Sequence, residues 1–207
     1  MKIPKIKLII FDFDDTLYEG ETWKYWDEYI SEMINSLYDN KKDCKAFAKK
    51  YGIVGGSTNQ YMAKCVANEF GSTQKFVDFM KNVFYQLDEP NLKVIENDYL
   101  KKLSKKVKLA IVSNSSRNYL LHYLKRFKID ESNFEYILQN EYEMTNYSKG
   151  VKYELLLKTL NLNPQEALVI GDNYETDIKP ALSMNINAVH THNLESVKKA
   201  VSQFIEF

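Results

Sequence analysis

Apolar residues follow two different spacings along this chain. The short segments Lys7-Leu8-Ile9-Ile10-Phe11, Leu109-Ala110-Ile111-Val112 and Ala167-Leu168-Val169-Ile170 are near-continuous and bounded by polar residues. They predict strands of a parallel sheet, buried on both faces. Elsewhere the period is that of a helix. Tyr119, Leu120, Tyr123, Leu124 and Phe127 predict a helix from Arg117 to Arg126, and Leu155, Leu156 and Leu160 give an apolar side to a helix over Val151–Leu160. From Thr22 to about Glu89 the pattern is helical almost throughout, with Trp23, Trp26, Tyr29, Ile30, Met33, Ile34 and Leu37 three or four apart. That stretch reads as a separate helical module, entered near Tyr18–Glu21 and left near Glu89–Leu92, with Gly20 and Pro90 marking the crossings. The expected architecture is α/β: a three-layer, Rossmann-like parallel sheet core of residues 1–17 and 95–207, with the helical module 18–94 inserted. Strands are expected near 6–11, 107–112, 136–138, 167–170 and 187–190.

The polar residues that end the apolar runs carry the chemistry. The first run stops at Asp12, Phe13, Asp14, Asp15 and Thr16. Open α/β sheets place their sites at the carboxyl ends of strands, and residues two apart on extended chain point the same way, so Asp12 and Asp14 are expected to face a common space. Two carboxylates held together raise each other's pKa unless a cation separates them; a hard divalent ion with oxygen ligands, Mg²⁺ first, answers that need. The second run leads through Ser113-Asn114-Ser115-Ser116, expected as a polar turn, into a helix start that can bind an anion. The third leads into Gly171-Asp172-Asn173-Tyr174-Glu175-Thr176-Asp177, adding two carboxylates beyond another strand end. Between these two lies Ser148-Lys149-Gly150, whose lysine is a potential phosphate or carboxylate partner; Lys152, one turn on, is the alternative.

Taken in order, these motifs resemble those of the haloacid dehalogenase superfamily, most of whose members are Mg²⁺-dependent phosphatases. DFDDT at 12–16 is similar to the first motif, Ser113 to the second, Lys149 to the third and GDNYETD at 171–177 to the fourth. The resemblance implies that Asp12 is the nucleophile and Asp14 the general acid, then base. It implies a Mg²⁺ site made by Asp12, the backbone carbonyl of Asp14 and Asp172, with Asp177 in support. Phosphate would be bound by Thr16, Ser113, Asn114 and Lys149. The inserted helices resemble the α-helical cap of one branch, which closes over the site and selects substrate. Its glycine-broken segment 51–60 is similar to a specificity loop aiming Ser57, Thr58, Asn59 and Gln60 at the leaving group; an ordinary interhelical turn is the other possibility. Asp14 favours a phosphatase over a dehalogenase, because halide departs without a proton. A phosphomutase shares all four motifs, and a non-catalytic phospho-ligand-binding protein of this fold is the third option.

Composition narrows the partners. The 28 basic and 28 acidic side chains balance over 207 residues, and no long run of one sign appears, so neither nucleic acid nor a membrane surface is indicated. The expected partner is a small phosphorylated metabolite such as a sugar, polyol or nucleoside monophosphate. Cys44 and Cys65 lack metal-ligand spacing and are expected to be reduced. The N-terminal apolar run enters the first motif directly and is too short to span a bilayer, so a cytoplasmic location is expected.

Overall fold

The computed structural model describes residues 5–20, 49–50, 65, 68, 92–140 and 149–206. The chain divides into two compact units, one of Met1–Gly20, Leu92–Glu141 and Asn146–Phe207, the other of Glu21–Asn91 with Tyr142–Thr145. Nearly all the described residues belong to the first unit. The expected helices between Thr22 and Glu89, the loop residues Ser57, Thr58, Asn59 and Gln60, and Cys44 lie outside the described residues; Cys65 is buried.

Five parallel strands form one sheet. In chain order they are β1 (Leu8–Phe11), β4 (Lys108–Ser116), β5 (Tyr136–Asn140), β6 (Ala167–Gly171) and β7 (Asn187–His190), arranged in space as β5-β4-β1-β6-β7. A separate antiparallel pair, β2 (Tyr18–Glu19) and β3 (Lys93–Val94), joins the chain just before it leaves the first unit at Gly20 to the chain just after it returns at Leu92. The described helices of ordinary form are α1 (Asn97–Ser104), α2 (Arg117–Arg126), α3 (Lys149–Leu160), α4 (Lys179–Ser183) and α5 (Leu194–Phe204).

Central placement explains the unbroken apolar run of β1. It pairs with β4 on one side and β6 on the other, Ile10 lying opposite Ala110 and Val169, and all four of its residues are buried. The two-residue period of a strand then sorts the side chains into two cores. Ile9 and Phe11 join Leu109, Ile111, Leu168 and Ile170 against α1, α2 and α5, through Leu100, Leu103, Leu120, Leu124, Val197 and Val201. Leu8 and Ile10 join Ala110, Val112, Ala167 and Val169 against α3 and α4, through Tyr153, Leu156, Leu157 and Ala181. The three-layer α/β fold expected from the sequence is what the chain forms.

Two local expectations are corrected. Ser113–Ser116 does not turn: it continues β4, with a shift in register to β5 between Val112 and Ser116. The Ser113 hydroxyl accepts the Ser115 N–H at 2.9 Å, so a side chain stands in for a ladder partner and the strand runs on as a bulge. On α3 the apolar side is not the one drawn through Leu155. That residue is 55% exposed, whereas Lys149, Lys152, Tyr153, Leu156 and Leu157 face inward. Two lysines lie on the inner face with hydrogen-bond partners of their own, Asp12 and Asp177 for Lys149 and the Ser113 carbonyl for Lys152, so the inner face is not the one its leucines alone suggest.

Candidate active site

The site stands at the carboxyl ends of β1, β4 and β6, and backbone bonds fix its first residue. The Asp12 N–H donates to the Ile170 carbonyl at 2.9 Å, extending the β1–β6 ladder by one residue before the chain turns. Phe13 then points into the core, and Asp15 takes a left-handed backbone, φ 52°, a conformation that Asp tolerates better than most side chains. The tight turn that results carries Asp14, Thr16 and Tyr18 past the strand end. Thr16 is fully buried, and its hydroxyl makes no hydrogen bond.

Lys149 draws the site together. From the first turn of α3 its Nζ donates to Asp12 Oδ1 at 2.7 Å and to Asp177 Oδ1 at 2.5 Å, and all three side chains are buried. Burial works against the Lys149 charge, yet the Asp12 and Asp177 carboxylates outweigh it and push its pKa up. Asp12 is itself pushed well above the usual carboxylate range, first by burial and then by Asp177, Asp172 and Asp14, with Lys149 pulling the other way. Lys152, the alternative phosphate partner, donates instead to the Ser113 carbonyl at 2.5 Å; burial, helped by the charge on Lys149, draws its pKa down to about 8.

The segment after β6 is built to place Asp177. Asn173 caps it, its side chain accepting from the N–H groups of Glu175 and Thr176 at 3.1 Å, and a single π-helical turn, Tyr174–Ile178, swings Asp177 inward. There Asp177 Oδ2 accepts the Asn173 N–H at 3.0 Å and Oδ1 the Thr176 hydroxyl at 3.1 Å. Gly171 makes the room: a Cβ there would come within 2.7 Å of the Asp177 Cβ and Cγ. Gly171→Ala should therefore cost about 1–3 kcal/mol by overpacking, read as a lowered midpoint in thermal unfolding.

Asp12, Asp172 and Asp177 each offer an oxygen within 4.8 Å of the others. Both Asp177 oxygens are already engaged, by Lys149 and Thr176 on Oδ1 and by Asn173 on Oδ2, and Asp12 is engaged by Lys149 on Oδ1, so Asp172 and the second oxygen of Asp12 are the better placed ligands. Asp172 too is pushed up, by burial and then by Asp177. Crowded, partly desolvated carboxylates with hard oxygen donors fit a small divalent cation. The Asp14 carboxylate is outside this cluster. It accepts from Tyr18 Oη at 2.7 Å and Tyr119 Oη at 2.9 Å on Oδ1, and from Ser115 Oγ at 2.8 Å on Oδ2.

The structure thus brings Asp12, Asp172, Asp177 and Lys149 into one cluster and puts Ser113, fully buried, and Asn114, half-buried, on the adjoining end of β4. Sequence reasoning missed Tyr18, Tyr119 and Ser115 as partners of Asp14, and Gly171 and Asn173 as supports of Asp177. Asn173 carried a readable signal, an Asn opening a helical turn; the tyrosines did not, since each also fits an apolar face. His190, at the end of β7, contacts the Asp172 carbonyl through Nε2 at 2.5 Å.

A parallel α/β sheet thus gathers carboxylates and a buried ammonium at its central strand ends, with no glycine-rich nucleotide turn after β1. The haloacid dehalogenase-like hydrolase family matches residues 9–191, and the chain belongs to that family, as its motifs led one to expect. Solved structures repeat the fold. A haloacid dehalogenase-like hydrolase from Streptococcus pneumoniae is 20% identical, with a TM-score of 0.63 over 94% of this chain and 90% of that one. A predicted phosphoglycolate phosphatase from Haemophilus somnus is 18% identical, TM-score 0.63, over 93% and 88%. A proposed hydrolase of the family from Bacillus subtilis, solved bound to magnesium, is 14% identical, TM-score 0.62, over 97% and 99%. No curated protein matches the sequence.

Proposed function

We propose that the protein is a Mg²⁺-dependent phosphatase that hydrolyses a small phosphorylated metabolite through a phosphoaspartyl intermediate on Asp12. The observation that carries this is the Lys149 ammonium clasped between Asp12 and Asp177 at the end of the central strand. A phosphate monoester dianion repels an anionic nucleophile, so attack requires fixed positive charge at the point of approach. Lys149 supplies it and also holds Asp12 in place. Mg²⁺ would be held by Asp12, Asp172 and the Asp14 carbonyl, and when bound it offsets charge on the phosphoryl oxygens.

Each residue takes a distinct part in the reaction. An Asp12 oxygen attacks phosphorus while the ester P–O bond breaks, and the departing alkoxide takes a proton from Asp14. Water then attacks the phosphoaspartate, giving its proton to Asp14, and the bond to Asp12 breaks to release inorganic phosphate. Ser113, Asn114 and Lys149 bind the transferring phosphoryl group, and the buried Thr16 hydroxyl, which has no hydrogen-bond partner, is assigned to the same group. Asp177 acts through Lys149.

Support for a phosphorylated substrate comes from family membership and from the retained Asp14; the predicted phosphoglycolate phosphatase among the similar folds agrees in reaction type. Residues 18–94 we assign to substrate selection, with Ser57, Thr58, Asn59 and Gln60 as its contacts. No helix among the described residues is long and apolar enough to cross a membrane, and a cytoplasmic location is proposed with the substrate class. Phosphate release from p-nitrophenyl phosphate and a panel of sugar, polyol and nucleoside phosphates is the test. Release is expected with Mg²⁺ and should vanish in a chelator; release that is equal in both would overturn the proposal.

A further inference from the structure

The environment of Asp14 is more elaborate than a bare general acid requires. Its Oδ1 accepts two phenols, Tyr18 Oη at 2.7 Å and Tyr119 Oη at 2.9 Å, and these two oxygens lie 3.2 Å apart. Its Oδ2 accepts the Ser115 hydroxyl at 2.8 Å. The three donors come from three places in the chain, β2, the first turn of α2 and the bulged end of β4. Their rings are not free to follow Asp14. Tyr18 stacks on Tyr123 with centroids 6.3 Å apart and packs on Phe127 at 4.9 Å, while Tyr119 packs on Tyr123 at 4.6 Å. Phe13, the residue between the two aspartates, meets both tyrosines edge-on at 5.5 and 6.3 Å. A rigid aromatic cluster therefore presents two hydroxyls to one oxygen of a carboxylate that stands on a turn.

We propose that Tyr18 and Tyr119 are positioning residues which orient the Asp14 carboxylate so that Oδ2, the oxygen shared with Ser115, is the atom that exchanges protons with leaving group and water. The inference rests on the phosphatase function proposed above and deepens it. A carboxylate oxygen has two lone pairs, and at Oδ1 both are taken by phenols. Only Oδ2 has room for a proton. The Ser115 hydroxyl can rotate from donor to acceptor as that proton comes and goes, whereas the paired phenols keep Oδ1 in place. Proton transfer depends steeply on such geometry.

The test separates positioning from mere packing through the leaving group. p-Nitrophenolate departs without protonation and an alkoxide does not, so kcat/KM for the two kinds of ester reports the same site with and without a demand on Asp14. In Tyr18→Phe, Tyr119→Phe and the double variant the rings remain to pack. The double variant should lose about 10²-fold in kcat/KM on the best alkyl phosphate of the panel and less than about threefold on p-nitrophenyl phosphate. The kcat values should fall for both esters, because water activation is a shared step. Equal losses in kcat/KM on the two esters, or no loss on the alkyl ester, would overturn the proposal. A crystal structure of each single variant gives a readout independent of turnover: Asp14 is expected to leave its present rotamer, and an unmoved carboxylate counts against the two tyrosines. Wild type inert towards both esters would instead sink the phosphatase reading, with the rotamer comparison still deciding the role of the pair.

Discussion

Asp12→Asn is expected to reduce phosphate release by at least about 10⁴-fold, the scale on which removing a covalent nucleophile acts, while leaving the protein folded. An amide has nearly the same shape but cannot attack phosphorus as an anion. The fold should tolerate it for a reason visible in the site. Asp12 is buried among Asp14, Asp172 and Asp177, each of which works against its charge. Neutralising it removes that repulsion, and Lys149 keeps Asp177 as a partner at 2.5 Å. Thermal unfolding in chelator should therefore change little beside the loss of turnover. If Asp12→Asn kept more than a tenth of wild-type activity, some other group would have to be the nucleophile.

Lys149→Met should fail for the opposite reason, in stability and in turnover together. Its Nζ is the cation shared by Asp12 and Asp177, and the three side chains are 3%, 9% and 0% exposed. Removing one member of a buried ionic group costs about 3–5 kcal/mol, because the charges left behind are neither solvated nor paired. For a chain of this length that is a fall of about 6–20 °C in Tm. The sign of the pH dependence follows from Asp12. Its folded pKa is already raised, so its charge is a cost that grows as pH rises from the unfolded value, near 3.9, through the folded one, and the cost disappears in acid. Without Lys149 that pKa climbs further. The gap in Tm between wild type and variant should be widest near neutrality and close as pH falls, whereas a gap constant with pH would mean that lost packing, not lost charge, destabilises the variant.

How much of this was legible in the sequence differs from element to element. β1 and β6 could be read because both faces of each are covered, which forces uninterrupted apolar runs. The end of β4 could not, because four polar residues in a row look like a turn unless one knows that the Ser113 hydroxyl takes over a ladder bond. Lys149 and Lys152 are three apart on one helix and both face inward, so periodicity cannot rank them; only their partners do, carboxylates for one and a main-chain carbonyl for the other. Tyr119 was invisible as a partner of Asp14 because it is 105 residues away, and Tyr18, only four away, because nothing in the local pattern distinguishes a ring that packs from one that also donates.

The division of β1 between two cores has a consequence for how this chain can vary. Odd-numbered Ile9 and Phe11 serve one helical layer, and even-numbered Leu8 and Ile10 serve the other. Asp12 inherits its direction from that parity and from the single ladder bond to Ile170. Loops elsewhere in an α/β chain can lengthen or shorten by any number of residues, but losing one residue here would exchange the two layers and turn the Asp12 side chain to the other side of the sheet. The strand is a ruler with a fixed count, and Asp12 is marked on it one step beyond Phe11, its last residue.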